Sequence, residues 1–238
     1  MITLNKLTKE YDLVGTKVTA LNEVSLTIER GEYVAVMGPS GSGKSTLMHL
    51  LGILDTATSG QYLLEDYDIT SLPDREQARI RNKHFGFIFQ SFHLFSELSA
   101  LENVMLPMGY ANVPMKQRKD RAAALLDEVG LADRRHHLPT MMSGGEQQRV
   151  AIARALSNDP DVILADEPTG NLPSDKGEEI MQMLESFNAR GVTVVMVTHN
   201  PDQGKRARRR LFIKDGALWK DENTEQAHAQ PAREAVHV

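Results

Sequence analysis

Gly38-Pro39-Ser40-Gly41-Ser42-Gly43-Lys44-Ser45-Thr46 follows directly on the apolar run Tyr33-Val34-Ala35-Val36-Met37. The stretch fits G-x-x-x-x-G-K-[ST], a loop that wraps phosphate between a strand and a helix. Its context agrees. An unbroken apolar run reads as a strand buried on both faces, and Lys44 to about Leu54 carries apolar residues at helical spacing. Gly38, Gly41 and Gly43 let backbone N–H groups turn toward an anion without interference from Cβ, with Ser40 and Ser42 in the same cradle. A helix starting at Gly43 or Lys44 adds a favourable dipole. Lys44 offers a point charge to β- and γ-phosphates, the Ser45 hydroxyl suits Mg²⁺, and Thr46 can donate to a further phosphate oxygen. The ligand implied is a nucleoside triphosphate with its Mg²⁺.

Working outward, two more apolar runs end in groups suited to phosphate chemistry. Val162-Ile163-Leu164-Ala165 ends in Asp166-Glu167, and Val192 to Thr198 ends in His199. In open α/β sheets, ligand-handling groups collect at the carboxyl ends of strands. Asp166 is placed to hold Mg²⁺ through water, because that ion dehydrates reluctantly. Glu167 is the candidate to polarise an attacking water, and His199 to bond the γ-phosphate. Gln90 closes Phe85-Gly86-Phe87-Ile88-Phe89 and can bridge Mg²⁺, water and the segment that follows. Taken singly, a strand-end His or Gln is usually a satisfied surface group. Their order around one phosphate loop gives them weight.

Residues 2 to 10 and roughly 20 to 30 tend to alternate apolar and polar side chains, as half-buried strands of an antiparallel sheet do. Val24, Leu26 and Ile28 face one way. Gly60 to Leu64 reads as a strand, 73 to 83 as a charged helix, and 85 to 89 as a strand. From 91 to 158 the pattern is helical, at about 99–108, 115–129 and 144–157, broken by Pro and Gly. Strand 161–165, helix 174–189, strand 192–198 and a hairpin near 211–219 complete the chain. Strands alternating with helices imply a parallel sheet with crossover connections. The division expected is one domain over 1–220, in which a core with a β subdomain (1–90 and 159–220) carries a helical subdomain (91–158). Residues 221–238, polar and Ala-rich without periodicity, read as a disordered tail.

The 238 residues suit one large domain, and 41% hydrophobic with 25% charged residues is ordinary for a globular protein. A net charge of -5 gives no global argument for nucleic acid as a partner. The chain has no cysteine, which removes disulfides and thiolate metal sites. Met1-Ile2-Thr3-Leu4-Asn5-Lys6 lacks a basic stretch followed by an apolar run, so no signal peptide is expected. No apolar run approaches the ~18 residues needed to span a bilayer.

Ser143-Gly144-Gly145-Glu146 has the form of a capping box, Ser143 at the N-cap and Glu146 reaching back. Capping does not explain two consecutive glycines, each of which costs a helix about 1 kcal/mol. Glycines there suit a helix N-terminus that must approach a phosphate closely. The phosphate loop already has its own helix, so this second terminus needs a second ligand or a second subunit. Ser143-Gly-Gly-Glu-Gln-Gln-Arg-Val-Ala-Ile-Ala-Arg-Ala-Leu156 closely resembles the signature of ATP-binding cassette (ABC) proteins. The resemblance extends over about residues 1 to 220. It implies the ABC ATPase fold, an α/β P-loop NTPase core with an antiparallel β subdomain and a helical insert. It further implies a homodimer closing on two ATP, with Ser143, Gly144 and Gly145 capping the γ-phosphate held by the partner, and Tyr11 as the aromatic that stacks on adenine.

Glu167-Pro-Thr-Gly-Asn-Leu172, Gly52-Ile-Leu-Asp55 with Ser59-Gly60, and Arg79-Ile-Arg81 resemble the branch containing lipoprotein-release and macrolide-export ATPases. That likeness implies an integral membrane permease subunit bearing an extracytoplasmic domain, and a peripheral location on the cytoplasmic face of the inner membrane. Rival readings are a soluble ABC ATPase on ribosomes or DNA, and a regulatory module such as a cell-division partner. The absence of sustained heptads between Lys44 and Ser143 speaks against the chromosome-maintenance type, and Glu167 against lost chemistry. One departure from the family stands out: Pro173 occupies a position usually held by Asp, which couples the two ATP sites. Of the remaining features, Lys205 to Arg210 reads as a solvated helix face. His136-His137 reads as a surface pair. Met105, Met108, Met141 and Met142 read as packing within the insert. Phe92, Leu94, Phe95 and Leu98 suit either a groove for a partner's helix or core packing.

Overall fold

The computed structural model describes residues 1–13, 15–65 and 67–223. The chain opens with an antiparallel pair, β1 (Ile2–Leu13) and β2 (Thr16–Ile28), then enters the central strand β3 (Tyr33–Met37) and helix α1 (Lys44–Leu51). β4 (Ser59–Leu64) and β5 (Tyr67–Asp68) complete a four-stranded antiparallel sheet in the order β2-β1-β4-β5. Helix α2 (Asp74–His84) leads into β6 (Phe85–Ile88). The helical segment follows as α3 (Ala100–Tyr110), α4 (Met115–Glu128) and α5 (Gly144–Ala155). The chain then alternates through β7 (Val162–Asp166), α6 (Ser174–Ala189), β8 (Thr193–Val197), the single turn α7 (Pro201–Gly204), β9 (Arg209–Lys214) and β10 (Ala217–Asn223).

The second sheet has the order β10-β9-β3-β8-β7-β6. Its strands are parallel except β10, which turns back on β9. This arrangement decides where the site lies. Because β3, β6, β7 and β8 run the same way, Gly38, Gln90, Glu167 and His199 all emerge at one edge of the sheet. Alternate residues of the same strands serve two cores. Val34, Val36, Leu164, Val195 and Val197 pack with α1 and the antiparallel sheet. Ala35, Ile163, Ala165, Val194 and Met196 pack with α3, α4, α5 and α6. Residues 91–158 are thus rooted in one continuous core with the sheet.

Several boundaries moved from the sequence reading, for local reasons. β2 begins at Thr16 rather than near 20, because its first four residues are exposed and carry no alternation to read. α1 stops at Leu51 rather than 54, since Ile53 turns to φ 56° and the chain closes with Ile53 N bonding the Leu50 carbonyl and Leu54 N the His49 carbonyl. The basic stretch 205–210 is not a helix face: it leaves α7 and enters β9, and its cations are paired. Arg206 bonds Glu178, Arg209 bonds Glu32 and Asp221, and Arg210 bonds Glu222. Those cross-strand pairs carry β10 through Asn223, so residues 221–223 are strand rather than tail, and the remainder of the expected tail lies outside the described residues. Met141 is exposed rather than packed, whereas Met108 and Met142 are buried. Asn103, which sequence did not single out, is fully buried and organises 95–99. It accepts from Phe95 N and donates to the carbonyls of Phe95, Leu98 and Ser99.

Candidate functional site

The phosphate loop has the backbone its sequence requires. Gly43 sits at φ 103° as the residue before α1, and a Cβ there would lie 2.4 Å from the Ala20 carbonyl. No other residue fits both demands. Lys44 is buried, with Nζ donating to the Pro39 carbonyl at 2.8 Å, so its charge lies across the loop. Ser42 Oγ is buried with no bonding partner. An orphaned hydroxyl beside a fixed cation is what an oxyanion ligand would satisfy.

The β7 and β8 ends supply the opposite charge. Asp166 is half-buried, and burial together with the Glu167 charge raises its carboxyl, while His49 and Lys44 oppose that rise. Lys44 and Asp166 therefore face the same space with opposite charge. Ser45 and Asp166 are the residues that would hold Mg²⁺, as the sequence led us to expect. Glu167 has φ 42°, a strained conformation for a side chain of its size. Its amide donates to the Val197 carbonyl at 2.9 Å, and its Oε1 lies 2.7 Å from His199 Nδ1. The two residues expected to act on the γ-phosphate and its attacking water are therefore in direct contact.

Gln90 makes its contacts elsewhere. Its carbonyl accepts from Asn171 Nδ2 at 2.9 Å, and its side-chain amide approaches Asn171 Oδ1 at 3.4 Å. A Cβ on Gly170 would meet Gln90 Nε2 at 2.7 Å, which explains that glycine. The loop after Glu167 is also held by two glutamines that sequence reading passed over. Gln148 of α5 donates to the Pro168 carbonyl at 2.6 Å. Gln203 of α7 donates to Thr169 Oγ1 at 2.6 Å and bonds Thr198, next to His199, at 2.9 Å. Gln148 is fully buried on the apolar stripe it shares with Ile152 and Ala155. A polar residue on such a stripe was the available signal. Arg154 ties the other end of α5 to the Phe92 and His93 carbonyls, and burial lowers its pKa to about 10.

Ser143 caps α5 as its sequence predicts. It accepts from Glu146 N, and Glu146 accepts from the Ser143 amide at 2.8 Å. Those bonds from the Ser143 backbone and hydroxyl, with help from Arg134, outweigh burial and hold the Glu146 carboxyl down at about 2. The glycines are a different matter. A Cβ on Gly144 would meet Leu172 Cδ2 at 3.4 Å, and one on Gly145 would meet Lys176 Cγ at 3.6 Å, both ordinary contacts. Among the described residues nothing demands the pair, and their surroundings are the loop after Glu167 and the start of α6 rather than the phosphate loop. Tyr11, on β1, has its hydroxyl bonded to Asp55 at 2.7 Å.

Comparison with known proteins agrees with this geometry. Residues 21–170 match the model of the ABC transporter family. The ABC transporter ATP-binding protein YvrO of Bacillus subtilis is 49% identical over 96% of this chain and all of its own length. The macrolide export ATP-binding/permease protein MacB of Bradyrhizobium diazoefficiens is 48% identical over 98% of this chain, which spans 36% of that protein. Among solved structures, the post-hydrolysis dimer of the ATP-binding cassette MJ0796 bound to ADP and Pi superposes with a TM-score of 0.88. It is 42% identical, covering 94% of this chain and 99% of that one.

Proposed function

The chain belongs to the ABC transporter family and is an ATP-hydrolysing ATPase of that type, and from that premise we propose that it works as a homodimer powering a membrane permease. The observation carrying this reading is the Gly144–Gly145 terminus of α5. It is capped, with Ser143 exposed, Gly144 half-buried and Gly145 buried, and no contact among the described residues explains the glycines. In the dimer it meets the γ-phosphate of the ATP seated in the partner's phosphate loop, so each protomer completes the other's site.

Within that closed site, Gly38 to Thr46 bind the phosphates, with Lys44 on the β- and γ-phosphates, and Tyr11 stacks on adenine. Ser45 and Asp166 would hold Mg²⁺, with Gln90 joining them on leaving Asn171, and the ion would supply positive charge against the phosphates. Glu167 takes a proton from water as its oxygen attacks the γ-phosphorus. The bond to the bridging oxygen breaks, and ADP and phosphate leave. His199, whose Nδ1 lies against Glu167, presents its other ring nitrogen to the γ-phosphate oxygens, a contact that requires a proton on that nitrogen. Glu167→Gln tests the assignment. It should bind MgATP, slow turnover by orders of magnitude and accumulate as a dimer in sedimentation. Near-normal turnover would place the chemistry elsewhere.

The membrane partner docks, on this reading, along the outer face of the helical segment. Leu98, Met105, Leu106, Tyr110 and Arg118 line a groove there, beside exposed Phe95 and Met115. Among the described residues no helix is long and apolar enough to cross a membrane. The likeness to the macrolide export protein MacB supports an export-type role, and with it goes the proposed place of the subunit at the cytoplasmic face of the inner membrane. Isolation in detergent, followed by identification of the co-purifying polypeptide, tests this part.

A further inference from the structure

The motif Gly52-Ile53-Leu54-Asp55 takes no part in the chemistry above, yet its last residue sits in the most constrained polar cluster near the nucleotide bed. Tyr11 Oη donates to Asp55 Oδ2 at 2.7 Å. Lys9 Nζ donates to Asp55 Oδ1 at 2.6 Å and to the Thr56 carbonyl at 2.8 Å, and stands 4.8 Å from the centre of the Tyr11 ring. Lys9 and Tyr11 are two apart on β1 and share a face of the strand. The loop bearing Asp55 is itself held to α1, where Leu54 N donates to the His49 carbonyl at 2.8 Å, and to α2, whose Arg81 Nη1 donates to the Ile53 carbonyl at 2.5 Å.

We propose that Asp55 and Lys9 are positioning residues for the purine. They fix Tyr11 against the loop that leaves α1, so that the base platform and the phosphate cradle at the start of the same helix form one rigid bed. The inference rests on the reading of Tyr11 as the adenine platform, and adds what holds that platform still. A ring already restrained by a hydroxyl bond and a cation gives up little freedom when a base stacks on it. The protonation states agree. Burial and the Asp55 bond raise the Tyr11 phenol, which keeps it a donor. Burial would raise Asp55, but bonds from Lys9, Tyr11 and the Thr56 amide outweigh it and hold the carboxyl low.

Calorimetry of the full chain with MgATP and with Mg-tripolyphosphate separates positioning from simple stapling of β1 to α1, because only ATP carries a base. Asp55→Ala should weaken MgATP about tenfold while leaving tripolyphosphate unchanged. Asp55→Asn keeps one acceptor, enough for Tyr11 or for Lys9 but not for both, and should recover only part of that loss. Lys9→Met, which keeps the alkyl stem, should fall between. Equal losses for both ligands, or an Asp55→Ala protein that binds MgATP as well as or better than wild type, would overturn the proposal. If Asp55→Ala does not fold, Asp55→Asn and Lys9→Met make the same comparison. Tyr11→Ala is the reference. Should it weaken MgATP alone while the Asp55 and Lys9 variants behave as wild type, only the positioning roles fall. Should it change nothing, the adenine platform falls with them.

Discussion

Lys44 shows how a single side chain is legible from sequence and how its neighbours are not. The spacing of Gly43-Lys44-Ser45 identified the cradle, because backbone conformation and charge there are local properties. Lys44→Ala should remove the nearest fixed cation from the β- and γ-phosphates and sharply weaken MgATP binding in calorimetry. Tight binding by that variant would count against the cradle. Gln203 carries no such local mark. Its value lies in bridging Thr169 and Thr198, residues far apart in the chain and adjacent to Glu167 and His199. Gln203→Leu should therefore lower kcat by about tenfold or more with KM for ATP nearly unchanged, since small misplacements near reacting groups are costly. A parallel rise in KM would mean that Gln203 serves binding or folding instead.

Among the elements, α5 joins two roles that its sequence already held in tension, a capping box and an unexplained pair of glycines. Ser143→Arg should leave affinity of the monomer for ATP nearly intact while abolishing dimer closure and hydrolysis, because its side chain fills the space meant for the partner's phosphate. Were Ser143 only a cap, the variant would lose roughly 1 kcal/mol of stability and still turn over. Melting temperature set against turnover decides between them. Glu146 adds a pH signature. Its carboxyl is depressed in the folded state, so its stabilisation is complete above its unfolded pKa and is lost as pH falls toward its folded value of about 2. Glu146→Gln can still reach back to the cap. The gap in melting temperature between wild type and this variant should be constant from pH 7 to 5 and close below that. Helices and strands at this scale were readable wherever one face met a core, as in α6. β5, α7 and the start of β2 were not, because short or solvent-exposed segments leave no apolar period in the sequence.

At the scale of the whole molecule, the question is how two sites act together, and Pro173 is where this chain leaves its family. The helix expected over 174–189 leaves Pro173 just ahead of its first turn. In the structure it is the residue before α6, at φ −56°, with no side chain capping the helix and its carbonyl accepting from Gly177. The loop it ends is held from within: Gln148 at Pro168, Gln203 at Thr169 and Gln90 at Asn171. Pro173 offers neither a donor nor a side-chain acceptor to a second protomer, so this well-anchored loop lacks the carboxylate that would bridge to one. The isolated protein is accordingly expected to hydrolyse ATP weakly and with little cooperativity, and to depend on its membrane partner for alignment. Pro173→Asp should raise basal turnover or steepen its dependence on ATP. Its stability should change little, because two effects oppose. A new N-cap contributes about 0.5–2 kcal/mol, and the freedom returned to the unfolded chain costs up to about 1 kcal/mol. A folded Pro173→Asp protein with unchanged turnover and unchanged cooperativity would show that coupling between the sites runs through other residues, with the glutamine-held backbone from Pro168 to Asn171 as the remaining route.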